Sequence, residues 1–369
     1  MSDLNITPPS HSTFPSKGTK EKNFTTEEIA EINSKRFGNA IKAATRSSPT
    51  IDFTDELILS IIEPHLVKAR EIRCKKLDGL RLEGKEKALY NGVCGSVDDS
   101  GENHLRKCGI FYYDRKTFPL GQILCDMFKF DVIDGNTPAN ALGNIKIPQK
   151  IDGGKQKLVE PMINPTLRKT FHETYDNLML SVLVPLFVSR LPPALQSNPN
   201  LRARYQSFPC LRINAPGEFS ISVHCDASYN HSFGNMNFYI PLTKQFGTNS
   251  LFFESFAGKE DWKTYENDES DSDNAMGYIF DGSQALHFTV ENTTEKVRVS
   301  LDCRIALFYD EEGGEDSFGL PSASDLEDHY SKVERLNYYS VCNEGDEGWV
   351  RIGDLGEPSC LNGFPHRNK

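Results

Sequence analysis

The sequence predicts an α+β chain whose core is mainly β, a two-sheet jelly roll or cupin-like barrel flanked by N-terminal helices. Three observations carry this. Between Pro209 and Tyr309, short apolar segments alternate with turn residues at close spacing. Upstream, two stretches place their apolar residues at helical intervals instead. Over 369 residues, 38% hydrophobic and 25% charged side chains suit a globular chain with a substantial core.

In chain order, residues 1–25 are rich in Ser, Thr, Pro and Lys and read as a flexible tail. From Phe53 to Lys75, Leu57, Ile58, Ile61, Ile62, Leu66, Ala69 and Ile72 recur at helical spacing, with Thr54 as N-cap and Pro64 as a kink. Residues 76–160 mix turns such as Asn91-Gly92 with short strands such as Ile110–Tyr113. A second helix is expected over Thr166–Arg190, its buried face formed by Leu167, Phe171, Tyr175, Leu178, Val182 and Leu186, with Pro192-Pro193 ending it. Residues 26–200 are therefore expected to pack on a core spanning 201–310. That core holds Cys210–Asn214, Phe219–Val223, Asn237–Leu242, Ser250–Glu254, Met276–Phe280, Gln284–Val290 and Val297–Phe308, about seven or eight strands in all. The acidic run Glu266–Asp273 reads as a solvated loop, because it lacks the Gly and bidentate Glu of a calcium-binding loop. Residues 311–369 form a C-terminal extension that begins with an acidic, Gly-rich linker and carries Trp349.

Composition narrows the function classes. A net charge of −11 repels phosphate backbones, so nucleic acid is not an expected partner. The N-terminal stretch has no apolar signal region. The longest apolar run, Leu178–Val188, is broken by Ser181 and Pro185 and falls short of the roughly 20 residues that span a bilayer. Nine cysteines without paired CxxC spacing point to reduced thiols and a cytoplasmic setting.

The chemistry is concentrated at Ile221-Ser222-Val223-His224-Cys225-Asp226. On a strand, residues i and i+2 face the same side, so His224 and Asp226 can reach one ion. His287 follows 63 positions later inside another apolar segment and supplies a third ligand. Two imidazoles and one carboxylate on one face of a metal leave three positions open, the arrangement of non-heme Fe(II) oxygenases. The HExxH pattern of zinc proteases is absent. A lone His-x-Asp specifies little; its place at a strand end, the second His and a following Arg give it meaning.

That Arg suggests a cosubstrate. 2-Oxoglutarate can chelate iron through its C1 carboxylate and C2 keto oxygen, and its C5 carboxylate then needs a buried cation. Arginine suits this because its planar fork binds carboxylates at two points and stays charged. Arg298, eleven residues after His287, is the leading candidate; Ser300 and Thr289 can add hydroxyl donors, and Arg304 is the rival, with a rim ion pair as its alternative role. Asn237 and Tyr239 share a strand face and could touch 2-oxoglutarate or substrate; Arg212 and Asn214 could hold the C1 carboxylate or a substrate acid. Each has a structural alternative as a locally satisfied core or strand contact. Glu254 could meet a cationic substrate group or a turn, while His231, in a Gly/Ser/Asn-rich loop, and His65 and His172, on helical patterns, read as packing or surface residues.

Together these residues resemble the phytanoyl-CoA hydroxylase-like and ectoine hydroxylase-like 2-oxoglutarate oxygenases. A closer resemblance, over about 100 residues, is to the StrG-like branch named from streptomycin biosynthesis. It is carried by His224-Cys225-Asp226-Ala227-Ser228-Tyr229, Asn235 to Thr243, Asn249 to Ser255 and Arg298 to Ile305. Cys303 and Ala257 depart from the residues usual there. The resemblance implies a double-stranded β-helix that uses Fe(II), 2-oxoglutarate and O2, with ascorbate as a compatible reductant. It implies hydroxylation of a small molecule, such as a natural-product intermediate, amino acid or amino-sugar derivative, with release of succinate and CO2. The retained Asp226 favours hydroxylation, since a halogenase of this class carries a small residue there. Two other functions remain open at this stage: hydroxylation of a protein side chain, with the acidic surface recruiting a basic partner, and ligand binding by a non-catalytic barrel.

Overall fold

A computed structural model describes residues 104–130, 137–148, 154–229, 231–232, 234–255, 262–264, 274–310, 320–323 and 338–353, with single positions at 66, 67, 69, 257, 267 and 326. The N-terminal tail, the Asn91-Gly92 turn, most of the 53–75 helix and the acidic stretch 268–273 lie outside these residues. Leu66 and Ala69 are described, helical and buried, and Val67 between them is 47% exposed.

The chain is mostly antiparallel β. Eleven strands are described: β1 (Gly109–Asp114), β2 (Leu201–Gln206), β3 (Cys210–Asn214), β4 (Met236–Pro241), β5 (Phe252–Phe253), β6 (Lys263–Thr264), β7 (Asn274–Phe280), β8 (His287–Phe288), β9 (Arg298–Tyr309), β10 (Tyr339–Gly345) and β11 (Gly348–Ile352). Eight of them make one sheet in the order β1-β7-β4-β9-β2-β10-β11, with β3 also paired to β9; β6-β5-β8 form a second, smaller sheet. The large sheet therefore takes strands from 109–114 and 339–352 as well as from the central stretch.

β9 organises the large sheet because its 12 residues are long enough to bond three neighbours. Its first half pairs with β3 (Arg298↔Asn214, Ser300↔Arg212), its second half with β2, and its other edge with β4 (Asn237↔Arg304, Tyr239↔Asp302). From Arg298 to Ile305 its sequence alternates. Val299, Leu301, Cys303, Ile305 and Leu307 join the main hydrophobic cluster, while Arg298, Ser300, Asp302 and Arg304 occupy the opposite face. β4 repeats the pattern, with Met236, Phe238 and Ile240 in the cluster and Asn237 and Tyr239 opposite.

Helices cover the apolar face. α1 (Leu120–Phe128) contributes Leu120, Leu124 and Phe128, α2 (Pro138–Gly143) contributes Leu142, and α3 (Pro165–Leu178) contributes Phe171, Tyr175 and Leu178. Asn164 caps α3 by accepting from the Thr166 and Leu167 backbone N–H groups, and Pro165 sits at the first helical position, where no N–H is needed. The helix continues through a π turn (Met179–Leu183) to Val188. Pro185 has no N–H to return to residue 181, which accounts for the local change of winding. Leu167, expected on the buried face, is 53% exposed, one turn too early to reach the sheet. Phe238 packs against Phe111 and Phe187 at 6.0 and 5.6 Å between ring centres, and burying such a ring contributes about 1.5–3 kcal/mol.

The small sheet has its own apolar backing. Phe252 stacks on Phe288 at 5.3 Å, Trp262 meets Phe288 edge-on, and Val223, Val290, Leu66 and Ala69 complete the cluster. The polar faces of β3, β4 and β9 thus look onto the segments that carry His224 and His287. The six described cysteines are all buried and unbridged. No helix among the described residues is long and apolar enough to cross a membrane.

Candidate metal centre

His224 and His287 face each other across an antiparallel bridge in which each backbone N–H donates to the other's carbonyl, at 3.1 and 2.8 Å. Such a pair holds two side chains side by side on one face. The imidazole centres are 4.1 Å apart. Asp226 opens a short 3-10 turn, Asp226–Tyr229, and its N–H donates to the Gly282 carbonyl at 2.8 Å. That bond draws the carboxylate in between the two rings.

The donor atoms converge. Asp226 Oδ1 lies 3.5 Å from His224 Nε2 and 3.5 Å from His287 Nε2, and all three ligand atoms fall within 4.8 Å of one another. Cis ligands of an octahedral ion at about 2.1 Å sit about 3 Å apart, so each His–Asp distance needs to close by only about 0.5 Å to bind one. The tautomers suit this role. His224 Nδ1 lies 2.8 Å from the Ser222 carbonyl oxygen and His287 Nδ1 lies 3.1 Å from that of Ala285. A carbonyl only accepts, so each Nδ1 carries the proton and each Nε2 presents a lone pair inward. Burial, reinforced by His287, pushes His224 down to about 4, so it is neutral near pH 7. Three electron-rich atoms in a buried pocket fit a cation.

The other carboxylate oxygen, Oδ2, accepts from Arg304 Nε at 2.7 Å and Asn237 Nδ2 at 2.8 Å. Burial opposes ionisation of Asp226, and the Arg304 guanidinium outweighs it, holding the carboxyl well below the usual range. Arg304 is steadied in turn by Gln206 Oε1 (2.9 Å) and the Tyr338 hydroxyl (3.3 Å). Gly282 is required sterically: a Cβ there would lie 2.5 Å from Asn237 Nδ2.

A small cavity of about 30 Å³ opens beside the triad. His224, His287, Tyr239, Thr289, Arg212 and Arg298 all line it. Arg298 is 2% exposed, and its Nη1 donates to the Asn249 carbonyl at 3.1 Å. Its Nε is buried without a hydrogen-bond partner, and no carboxylate among the described residues forms an ion pair with it. Burial lowers its pKa. Two neighbours are similarly unsatisfied: Ser300 Oγ, and both polar side-chain atoms of Asn214, which stands opposite Arg298 in the strand register. Native interiors leave few such groups unbonded, and an anionic ligand would satisfy the donors among them, Arg298 Nε, Ser300 Oγ and Asn214 Nδ2.

The triad and Arg298, Thr289, Tyr239 and Arg212 gather here as the sequence suggested, but not all in the expected way. Asn237 bonds the triad carboxylate and does not line the cavity. Thr289 lines it, yet its hydroxyl is bonded to the backbone, accepting from the Ser220 and Ile221 N–H groups at 3.2 and 2.9 Å. The Tyr239 hydroxyl accepts from Gln245 Nε2 at 2.6 Å, and Arg212 sits 3.6 Å from Asp302. Arg304 is neither a second carboxylate anchor nor a rim residue; it is buried on Asp226. Glu254 is fully buried and accepts from the Leu286 N–H at 2.7 Å, so of its two expected roles the structural one holds. His231 is 8% exposed, its loop being covered by Tyr338 and Tyr339. Sequence reasoning passed over Gly282, Gln206, Asp302 and Tyr338. Asp302 and the inward position of Arg304 were readable from the two-residue period of β9; Tyr338 arrives from a distant strand and had no local signal.

No protein-family model matches the chain. It is similar to a streptomycin biosynthesis protein, StrG, of Streptomyces griseus, at 27% identity over 100 residues, which are 27% of this chain. The chain spans 44% of that protein's length, less than half. Among solved structures it is similar to a non-heme monooxygenase, ThoJ, in complex with nickel, at 12% identity, covering 69% of this chain and 85% of that one. The TM-score of 0.34 is too low to define a shared fold.

Proposed function

We propose that this protein is an Fe(II)- and 2-oxoglutarate-dependent oxygenase that hydroxylates a small molecule, and that its two sheets form the double-stranded β-helix of such enzymes. The observation that carries this is the pairing of an inward-facing His224, Asp226 and His287 set with a buried Arg298 that lines the same cavity and has no carboxylate partner among the described residues. The first fits a divalent iron centre with open positions; the second fits the distal carboxylate of a chelating ketoacid.

In this reading His224 and His287 hold the metal through Nε2, their Nδ1 protons fixed on backbone carbonyls. Asp226 supplies one oxygen. Arg298, with Ser300 and Asn214, receives the C5 carboxylate of 2-oxoglutarate. Arg212, next to Asp302 at the cavity wall, meets the remaining anionic group of cosubstrate or substrate. Phe280, edge-on to His287, and Leu251 give the cavity an apolar wall. When bound, iron, 2-oxoglutarate and O2 together supply the oxidising power for C–H hydroxylation, releasing succinate and CO2. The acidic chain and the reduced cysteines suit a cytoplasmic enzyme acting on small molecules rather than nucleic acid.

The test is anaerobic addition of Fe(II) and 2-oxoglutarate to the purified chain. A weak visible charge-transfer band is expected in the wild type and absent from a His224→Ala/Asp226→Ala variant. No band in the wild type, or the same band in both, contradicts the proposal.

A further inference from the structure

We infer that Arg304 and Asn237 form a clamp that restricts Asp226 to one-oxygen coordination, and that this clamp keeps the third coordination position of the metal open. The inference rests on the iron reading above and deepens it. A carboxylate can ligate through one oxygen or both. Two imidazoles and one oxygen leave three of six positions free; two imidazoles and both oxygens leave two. A ketoacid that chelates at two points, plus one further small ligand, needs all three.

The geometry removes Oδ2 from the competition. While Oδ1 faces both Nε2 atoms at 3.5 Å, Oδ2 accepts the two short bonds from Arg304 and Asn237, at 2.7 and 2.8 Å. The donors are direct cross-strand partners on β9 and β4, so the sheet itself sets their spacing. Gln206 and Tyr338 fix the guanidinium from behind. Gly282 fixes the other side, accepting from the Asp226 N–H and leaving, by its missing side chain, the space that the Asn237 amide fills. Arg304 also brings a full positive charge to the carboxylate. That charge draws electron density from Oδ1, weakens its donation and favours the ferrous over the ferric state. Arg304 is thus a positioning residue that acts through Asp226.

The experiment uses the full chain, loaded anaerobically with Fe(II), as wild type, Arg304→Gln, Arg304→Lys, Asn237→Ser and Gly282→Ala. Three quantities are read: Fe(II) affinity, 2-oxoglutarate affinity of the iron-loaded protein, and the Fe(III)/Fe(II) midpoint potential. For Arg304→Gln, 2-oxoglutarate binding is expected to weaken by about tenfold or more. Fe(II) binding is expected to be undiminished, because a carboxylate free to use both oxygens is no poorer a ligand. The potential is expected to fall, and Arg304→Lys to restore part of it. Gly282→Ala deletes no donor but displaces the Asn237 amide, and should weaken 2-oxoglutarate binding in the same direction by a smaller factor, as should Asn237→Ser. A merely structural role for Arg304 would weaken metal and cosubstrate binding together and leave the potential in place, and that result overturns the clamp. So do wild-type values in every folded variant. If Arg304→Gln does not fold, Gly282→Ala and Asn237→Ser decide by the same criteria. Failure of the wild type to bind Fe(II) overturns the iron reading and the clamp with it; wild-type binding with unaltered variants overturns the clamp alone.

Discussion

Two arginines six residues apart on β9 project from the same face of the same strand, and both are almost fully buried. Arg304 lies against Asp226, Gln206 and Tyr338; Arg298 has one backbone carbonyl and no counter-ion among the described residues. His172, on α3, gives a third case. It is 6% exposed, and burial, reinforced by Arg168, pushes it down to about 3, so it is buried neutral. A basic side chain in a protein interior can be paired or can give up its proton, and His172 and Arg304 show both solutions. Arginine cannot readily lose its proton, so Arg298 is left incomplete. That difference separates a charge committed to a protein carboxylate from one left to receive a ligand.

The contrast can be broken by measuring stability. Arg304→Met should destabilise the metal-free chain most, by about 3–5 kcal/mol, because it leaves the Asp226 charge buried and uncompensated. Urea unfolding followed by circular dichroism measures this; a loss below about 1 kcal/mol would place Arg304 among weak surface-type pairs.

The next effect is pH-dependent and concerns His172. Unfolded, it titrates near its ordinary 6.5; folded, it titrates near 3. Between these values the unfolded chain holds the extra proton. The stability tied to neutral His172 is therefore fully present above about pH 6.5 and is lost as pH falls toward 3, amounting to roughly 3 kcal/mol by pH 4. His172→Leu should flatten that part of the acid limb. An unchanged pH 7-to-4 slope would contradict the burial argument.

Arg298→Met should give the smallest stability change, within about 1 kcal/mol and of either sign, since it removes a buried charge that no protein anion compensates. Loss on the scale expected for Arg304 would mean that Arg298 is a structural residue.

Much of this contrast was legible before the structure, for reasons specific to particular residues. The two-residue period of Arg298-Val299-Ser300-Leu301-Asp302-Cys303-Arg304 fixes one apolar and one polar face, so both arginines had to lie together. His224 and Asp226 share a face for the same reason. β3 falls on Cys210–Asn214 as read, because turn residues bound it on both sides. What local pattern could not supply is which arginine meets Asp226. That depends on the register that sets Asn237 opposite Arg304, and register is a tertiary property. β2, β10 and β11 were missed because Arg202, Arg204, Asn343, Glu344 and Arg351 interrupt their apolar pattern, although β10 pairs with both of the others. The expected strand Phe219–Val223 is instead irregular backbone that meets the small sheet at His224 through a single bridge.

The central claim is that the uncompensated charge of Arg298 recognises the distal carboxylate of the cosubstrate. The most direct measurement compares 2-oxoglutarate with 2-oxobutyrate, which keeps the chelating ketoacid and lacks that carboxylate, in iron-loaded wild type and Arg298→Met. The wild type should prefer 2-oxoglutarate by at least about 30-fold, the 2 kcal/mol or more of a buried charge pair, and Arg298→Met should bind the two ketoacids nearly alike. Equal preference in both proteins would contradict the claim.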